Sequence, residues 1–265
     1  PEAADLAVEL TDYLRSAGRT VLDEATLNAN GTTGVHAIMV LGGDGLMMRA
    51  ANQFPDVPLF GINFGKVGFL AMVEQSDWQT SVDQYLAGNY SIQDGSTLKA
   101  TVVRAGQELE QGWAINDVVI RGGVRMVEIE VYIDARFVNM YPGDGMIVST
   151  PRGSTAYCMA AGGPVLTAGV RGSAIVPISC HSPIRTPFVV AESAVVELVN
   201  RTRHEAQLIL DGRPTIDLVE NDVVRVTRGE HAFRLIALES MDFYEAFRAK
   251  FNFRIRPDAI PSRPG

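Results

Sequence analysis

Residues 36–41, His36-Ala37-Ile38-Met39-Val40-Leu41, run without interruption into Gly42-Gly43-Asp44-Gly45, and a helical pattern then continues through Phe54 until Pro55 ends it. A buried strand, a glycine-rich turn and a helix in that order begin an α/β unit with a parallel sheet. Glycines at the carboxyl end of such a strand let a phosphate approach the backbone closely, and the helix N-terminus favours the anion. In open α/β sheets that crevice is where ligands bind. Around this stretch the pattern repeats. Leu6, Leu10, Tyr13 and Leu14 recur at helical spacing, with Gly18 as a natural stop. Residues 57–62 form a second strand-like run leading into a glycine-bearing loop over 63–68. A third helix is predicted over 77–86, with Ser76 as its N-cap and Gly88 past its end.

The texture changes near Ser96. Short β-rich segments follow at 98–104, 113–120, 127–133, 195–198, 207–210 and 223–226. Turn signals separate them, among them Asp211-Gly212, a strong hairpin dipeptide. One helix interrupts them near 154–161, and residues 241–251 return to helical spacing with Phe243, Tyr244, Phe247 and Phe251. The expected fold class is α/β plus mostly β. Residues 1–96 with about 239–265 form an N-terminal α/β domain with a parallel sheet, carrying the Gly42-Gly43-Asp44-Gly45 turn. Residues 97–238 form a C-terminal β-rich, sandwich-like domain, and the last helix returns to the first domain.

Of 265 residues, 46% are hydrophobic and 20% charged, the balance of a globular protein with a substantial core. The formal net charge of -8 argues against nucleic acid and against anionic membrane as partners, since binders of either display basic stripes. A polyanionic substrate would have to be held locally, by backbone N–H groups, helix N-termini or a few placed cations. Cys158 and Cys180 form neither a disulfide framework nor a C-x-x-C metal spacing. A reduced, cytoplasmic setting is expected, as no apolar run approaches the roughly 20 residues that span a bilayer and no signal-peptide pattern opens the chain. Pro1 already stands in a helical pattern, so a strand is expected to precede it.

Two standard phosphate motifs are absent. Gly61-Ile62-Asn63-Phe64-Gly65-Lys66-Val67 is one residue short of a Walker A loop and has Val where the hydroxyl should be. No G-x-G-x-x-G follows any strand, so dinucleotide binding, if present, is built differently. Asp44 carries two readings: a general base for an attacking hydroxyl, or an N-cap of the helix it opens. Asn116-Asp117 breaks the apolar strand 113–120; a sugar's paired hydroxyls could satisfy the two side chains, as could a β-bulge or a solvent-facing strand end. Gly143-Asp144-Gly145 precedes Met146-Ile147-Val148 and then Ser149-Thr150-Pro151-Arg152-Gly153-Ser154-Thr155-Ala156-Tyr157, with Gly162-Gly163-Pro164 beyond. Hydroxyls beside small residues at a helix start, followed by an aromatic, suit a nucleoside or an amide. A Ser/Thr-capped helix with a core Tyr157 reads the same segment equally well.

In combination these segments resemble the NAD kinase family from about Ala37 to Phe253. The matching features are the GGDG turn at Gly42 to Gly45 and an N-x-G-x-x-G-F-L loop from Asn63 to Leu70. The others are an N-E pair met by Asn116-Asp117, a D-G-x-I-x-S-T-P-T-G-S-T-A-Y stretch with A-G-G-P from Asp144 to Pro164, and a closing aromatic helix from Phe243 to Phe251. GGDG alone is weak, because diacylglycerol- and sphingosine-type lipid kinases share it; the Asp144–Pro164 block is long and specific. The resemblance implies transfer of the terminal phosphoryl group of ATP or polyphosphate, with magnesium or another divalent cation, to the 2′-hydroxyl of the adenosine ribose of NAD, giving NADP. It places Asp44 at that hydroxyl as the catalytic residue, Gly42, Gly43 and Gly45 at the donor phosphates, and Gly45 and Phe69 beside the nucleotide. Asn116 and Asp117 are implied at the ribose, Thr155, Ala156 and Tyr157 at the dinucleotide, and Asp144 at the nicotinamide carboxamide from a neighbouring subunit. Homodimers or homotetramers with composite sites are implied, with no dedicated metal cage. Three positions depart from the pattern. Asp117 stands for Glu; Arg152 stands for Thr and could contact a phosphate; Leu46 follows GGDG where a polar residue is usual. The alternatives are a lipid kinase and a catalytically silent NADP-binding regulator.

Overall fold

A computed structural model describes residues 2–65, 68–167, 169–239 and 243–250. The chain divides into two compact units, Pro1–Asp94 with Arg234–Gly265, and Gly95–Phe233.

The first unit opens with α1 (Glu2–Ser16) and α2 (Glu24–Asn30), then β1 (Ile38–Leu41), α3 (Asp44–Gln53), β2 (Leu59–Asn63), β3 (Val73–Glu74) and α4 (Trp78–Leu86). β1 and β2 pair in parallel, Ile38 opposite Leu59 through Leu41 opposite Ile62. β3 extends the sheet in parallel from Ile62 and Val73. The one-face spacing of Leu6, Leu10 and Leu14 on α1 buries all three against Phe60, Ile62, Trp78 and Val82. α4 starts after a 3-10 turn, Gln75–Asp77, that places Asp77 at its N-cap, so Ser76 lies inside the turn and does not cap the helix.

Continuing the chain are β4 (Tyr90–Arg104), β5 (Gln107–Ala114), β6 (Asp117–Gly122), β7 (Val127–Ile133), β8 (Arg136–Gly143) and β9 (Gly145–Ser149). A 3-10 turn (Gly153–Thr155) and α5 (Tyr157–Ala160) precede β10 (Gly172–Ile178), β11 (Phe188–Ala191), β12 (Val196–Asn200), β13 (Ala206–Leu210), β14 (Arg213–Leu218) and β15 (Val223–Leu238). In the second unit these strands make a sandwich. One sheet runs β11-β10-β9-β6-β13-β14 and the facing one β5-β4-β15-β12-β7-β8. Inward residues alternate along the strands, as in Val127, Ile129 and Val131 of β7, and they meet Val118, Ile120, Met146, Val148 and Leu208 in one buried core. The end of β15 belongs to the first unit, where Leu235 pairs with Leu59.

The last helix, α6 (Phe243–Lys250), returns to the first unit, where Phe243 and Phe247 pack on Phe69 with ring centroids 5.8 and 6.4 Å apart. Met241 and Phe251, expected at the ends of this helix, lie outside the described residues, as do Lys66 and Val67. The expected strand 113–120 is two strands. β5 ends at Ala114, β6 begins at Asp117, and Ile115-Asn116 form a bend between them. The helix expected over 154–161 is shorter, a 3-10 turn followed by the four residues of α5.

Candidate active site

Two loops carry most of the residues singled out above, one in each unit, and each is organised by a single aspartate. In the first unit, Gly43 is the N-cap of α3 and makes no side-chain cap bond, so Asp44 is the first helical residue and not a cap. Its carboxylate turns toward the loop after β2. Oδ2 accepts the N–H of Phe69 at 3.0 Å, and Oδ1 accepts those of Leu70 at 3.0 Å and Ala71 at 3.2 Å. A Cβ on Gly68 would overlap that carboxylate, which is why the loop needs glycine there. The turn before α3 is pinned by the Gly42 N–H donating to Ile62 O at 2.8 Å, while Gly43 O accepts from Leu46 and Met47. Gly43 and Gly45 are exposed, and a Cβ on Gly45 would meet nothing within 4 Å. Packing does not demand glycine at 45. Backbone access in front of the helix is the property it provides, the requirement of a phosphate site.

In the second unit the organising residue is Asp211. Its carboxylate accepts three successive N–H groups of the bend between β5 and β6: Ile115 at 2.8 Å, Asn116 at 2.7 Å and Asp117 at 3.2 Å. On the other side of the bend, Asn116 O accepts from the Thr150 N–H at 2.9 Å and from Ser149 Oγ at 3.2 Å, and Ile115 O accepts from Thr150 Oγ1 at 2.7 Å. The backbone of Asn116 is therefore fixed from both sides. Its carboxamide, half-buried, has no hydrogen-bond partner among the described residues. Asp117 is 5% exposed, and its carboxyl likewise has none. Burial, with the negative charge of Asp211 adding to it, pushes the Asp117 carboxyl up to about 7. Asp211 is itself raised, burial outweighing the three N–H bonds and the nearby Arg213 that pull the other way. Two adjacent polar side chains thus stand on a fixed backbone with their hydrogen-bonding capacity unspent among the described residues.

The Ser149–Tyr157 block divides by role. Thr150 Oγ1 also receives the Gly153 N–H at 3.0 Å, and Ser154 Oγ donates to Pro151 O at 2.6 Å and accepts from the Leu166 N–H at 2.9 Å. Ser149, Thr150 and Ser154 spend their hydroxyls on the scaffold. Thr155 and Tyr157 are half-buried and Ala156 is exposed at the turn into α5, with Tyr157 packed on the cluster of Val119, Ile147 and Cys158. Burial pushes the Cys158 thiol up to about 11, so it is an inert core residue. Arg152 stacks its guanidinium 4.4 Å from the Phe233 ring centroid, a cation–π contact. Asp144 is exposed at the bend between β8 and β9. Beyond the end of α5, a cavity of about 960 Å³ is lined by Gly162, Ser179, Cys180, His181 and Arg185 among others. Among the described residues no group of three or more His, Cys, Asp and Glu side chains converges on a metal position.

Sequence reasoning does not single out Asp211. The signal is present, since Asp at the first turn position has a side chain able to bond backbone N–H groups, but the dipeptide by itself specifies only a hairpin.

The ATP-NAD kinase N-terminal domain matches residues 22–90 and the ATP-NAD kinase C-terminal domain matches residues 115–238. An NAD kinase of Thermomicrobium roseum is 52% identical over 263 residues, covering 99% of this chain and 91% of that protein. An NAD kinase of Aromatoleum aromaticum is 34% identical over 282 aligned positions, covering 100% and 93%. Among solved structures, an NAD kinase from Archaeoglobus fulgidus in complex with ATP superposes with a TM-score of 0.75 at 19% identity, covering 92% of this chain and 94% of that one. Yeast NADH kinase complexed with NADH gives the same score at 19% identity over 87% of this chain and 69% of that one. Both share the fold. With two domain matches in the right order and a relative of this similarity along nearly the full length, the chain belongs to the NAD kinase family.

Proposed function

We propose that this NAD kinase, a phosphotransferase converting NAD to NADP, holds its acceptor by the adenosine ribose at Asn116 and Asp117. The observation that carries the reading is the pair of adjacent side chains, on a backbone fixed by Asp211, without partners among the described residues. A ribose offers two neighbouring hydroxyls, each both donor and acceptor. An amide and a carboxyl can satisfy both, and leaving them unsatisfied when buried is costly. Thr155, Ala156 and Tyr157 contact the rest of the dinucleotide, with Asp144 reaching the nicotinamide carboxamide in a homo-oligomer whose sites are composite.

The donor is ATP or polyphosphate, cradled by Gly42, Gly43 and Gly45 in front of α3. Phosphoryl transfer passes through a loose transition state, so the protein's main work is in-line positioning and charge neutralisation. The attacking 2′-oxygen bonds to the terminal phosphorus, the bond to the leaving phosphate breaks, and the hydroxyl proton is lost. Asp44 serves that hydroxyl as base or orienting group. Its orientation is set by the three N–H groups of residues 69–71. Magnesium, carried on the donor phosphates with at most one or two carboxylates, would supply charge neutralisation, as a hard and strongly hydrated ion does. Arg152, already committed to Phe233, is at most an auxiliary phosphate contact.

The test is one incubation with NAD, ATP and magnesium, read by an NADP-specific dehydrogenase. NADP formation above an enzyme-free control is the expected result. Tight NADP binding without turnover would instead establish a silent regulator.

A further inference from the structure

We propose that Asp211 is the positioning residue of the acceptor site: its carboxylate, by gathering the N–H groups of Ile115, Asn116 and Asp117, sets the bend that aims Asn116 and Asp117 at the ribose. The inference rests on the ribose reading above and deepens it.

The bend is not a product of local sequence. Between β5 and β6 the apolar run Ala114-Ile115 … Val118-Val119-Ile120 would continue as one strand, and its break needs something to take the N–H groups that leave the ladder. One carboxylate takes all three. Asp211 sits 95 residues away along the chain from Asn116, at the first position of the turn joining β13 to β14. Its φ of +48° and the +75° of Gly212 are the left-handed pair of a tight hairpin. Asp is one of the few side-chain-bearing residues that tolerate this conformation. Its own N–H donates back to Asp117 O at 3.1 Å, so backbone and side chain both tie the hairpin to the bend. Any hairpin-forming pair would serve the turn alone. The carboxylate is needed for the bend.

The charged groups around the carboxylate are Asp117, which shares the bend, and Arg213 of β14. Asp211 touches no reacting atom in this scheme, so its removal should act through the acceptor affinity and leave the donor alone.

Two variants separate the turn from the bend. Asp211→Asn tolerates the left-handed turn but sets an NH₂ group against N–H donors; Asp211→Gly keeps the turn and removes the acceptor altogether. Leaving buried N–H groups without an acceptor should raise the KM for NAD about tenfold in Asp211→Asn and further in Asp211→Gly. The KM for ATP and kcat should each stay within about threefold of wild type in both. Asn116→Ala and the Asp211→Asn/Asn116→Ala double variant complete a cycle. If Asp211 acts through Asn116, the double variant is no worse than the more impaired single one. An unchanged NAD KM in Asp211→Asn, or additive losses in the double variant, overturns the proposal. If Asn116→Ala alone leaves the NAD KM unchanged, the ribose reading has failed and not the role of Asp211 in shaping the bend. Amide hydrogen exchange on the wild-type protein does not depend on any variant folding. Strong protection of residues 115–117 is expected, and exchange at the rate of an open loop would overturn the proposal.

Discussion

Asp44 and Asp211 do the same thing with opposite emphasis. Each carboxylate gathers three consecutive or nearly consecutive backbone N–H groups from a distant loop, residues 69–71 in one case and 115–117 in the other. Asp44 comes from the first turn of a helix, beside glycines that leave the backbone open to a ligand. Asp211 comes from the hairpin turn between β13 and β14, its carboxylate directed at the bend it holds. In the first unit the gathering residue is itself the proposed reactive group. In the second, the gathered residues are the proposed ribose ligands. Loop geometry that short-range preferences do not specify is imposed in both units by charge-assisted hydrogen bonds, which are roughly twice as strong as neutral ones.

The comparison is most sharply tested at Asp44. Asp44→Asn retains a side chain of the same shape but turns one acceptor oxygen into a donor facing the Phe69 to Ala71 amides. Turnover should fall by roughly 10²–10⁴, the range for losing a positioned acid–base group, with NAD affinity nearly intact. A variant that keeps more than half the wild-type rate would reduce Asp44 to a loop clamp, the equivalent of Asp211 with no chemical part.

Asp117 tests the second unit through pH. Its carboxyl is raised from the ordinary 3.8 to about 7, so the folded state binds a proton more tightly than the unfolded chain. Stability that Asp117 contributes is fully present below the ordinary value and is lost as pH rises through about 7. The gap corresponds to an upper bound of roughly 4 kcal/mol. Asp117→Asn removes the titration. Relative to wild type its melting temperature should rise between pH 5 and pH 8, and equal differences at both pH values would mean the carboxyl is not held in this state. Asn116→Ala should weaken NAD binding by roughly 1–3 kcal/mol, the cost of leaving a buried partner unpaired, with the ATP KM unmoved. A change confined to ATP would remove Asn116 from the ribose.

How legible these features were follows from how far their causes lie along the chain. The β1 strand, the glycine turn and α3 are local, and composition alone marks them. β7, its neighbour β12, and β13 of the facing sheet alternate inward and outward and are equally plain. The Ile115-Asn116 bend was not, because Asp211 makes it from 95 residues away. α2 escaped because only Leu27 of its seven residues is buried, leaving no periodicity to see, although Asp23 caps it through the Thr26 N–H at 2.8 Å. β10 escaped because it is buried at every position and contains Pro177, so it shows neither alternation nor an uninterrupted run. Asn116 and Asp117 were found as oddities in an apolar strand. What fixes their backbone is readable only with the bend.

The smallest effect belongs to Leu46, where the chain departs from its family's usual polar residue. Leu46 lies in the first turn of α3, its N–H donating to Gly43 O at 3.0 Å, and its side chain is 40% exposed. Met47 and Ala51 are the core-facing residues of this helix. Leu46 instead lies over Gly42, where an added Cβ would come 2.9 Å from its Cδ2. A side chain in that position covers the turn assigned to the donor phosphates. A hydroxyl there could add one hydrogen bond to a charged oxygen, worth roughly 1.5–3 kcal/mol when well formed. Solvent access at the helix end cuts that figure, so Leu46→Thr should lower the ATP KM only severalfold, leave the NAD KM unchanged, and cost little stability because little apolar surface is lost from the core. The competing outcome is also structural. A Thr hydroxyl in a first turn can bond the carbonyl three or four residues back, here Gly43 or Gly42, and be spent before any phosphate arrives. An unchanged ATP KM with an unchanged melting temperature would show that the hydroxyl is spent in this way. A lower melting temperature with no kinetic change would show that Leu46 serves to cover Gly42.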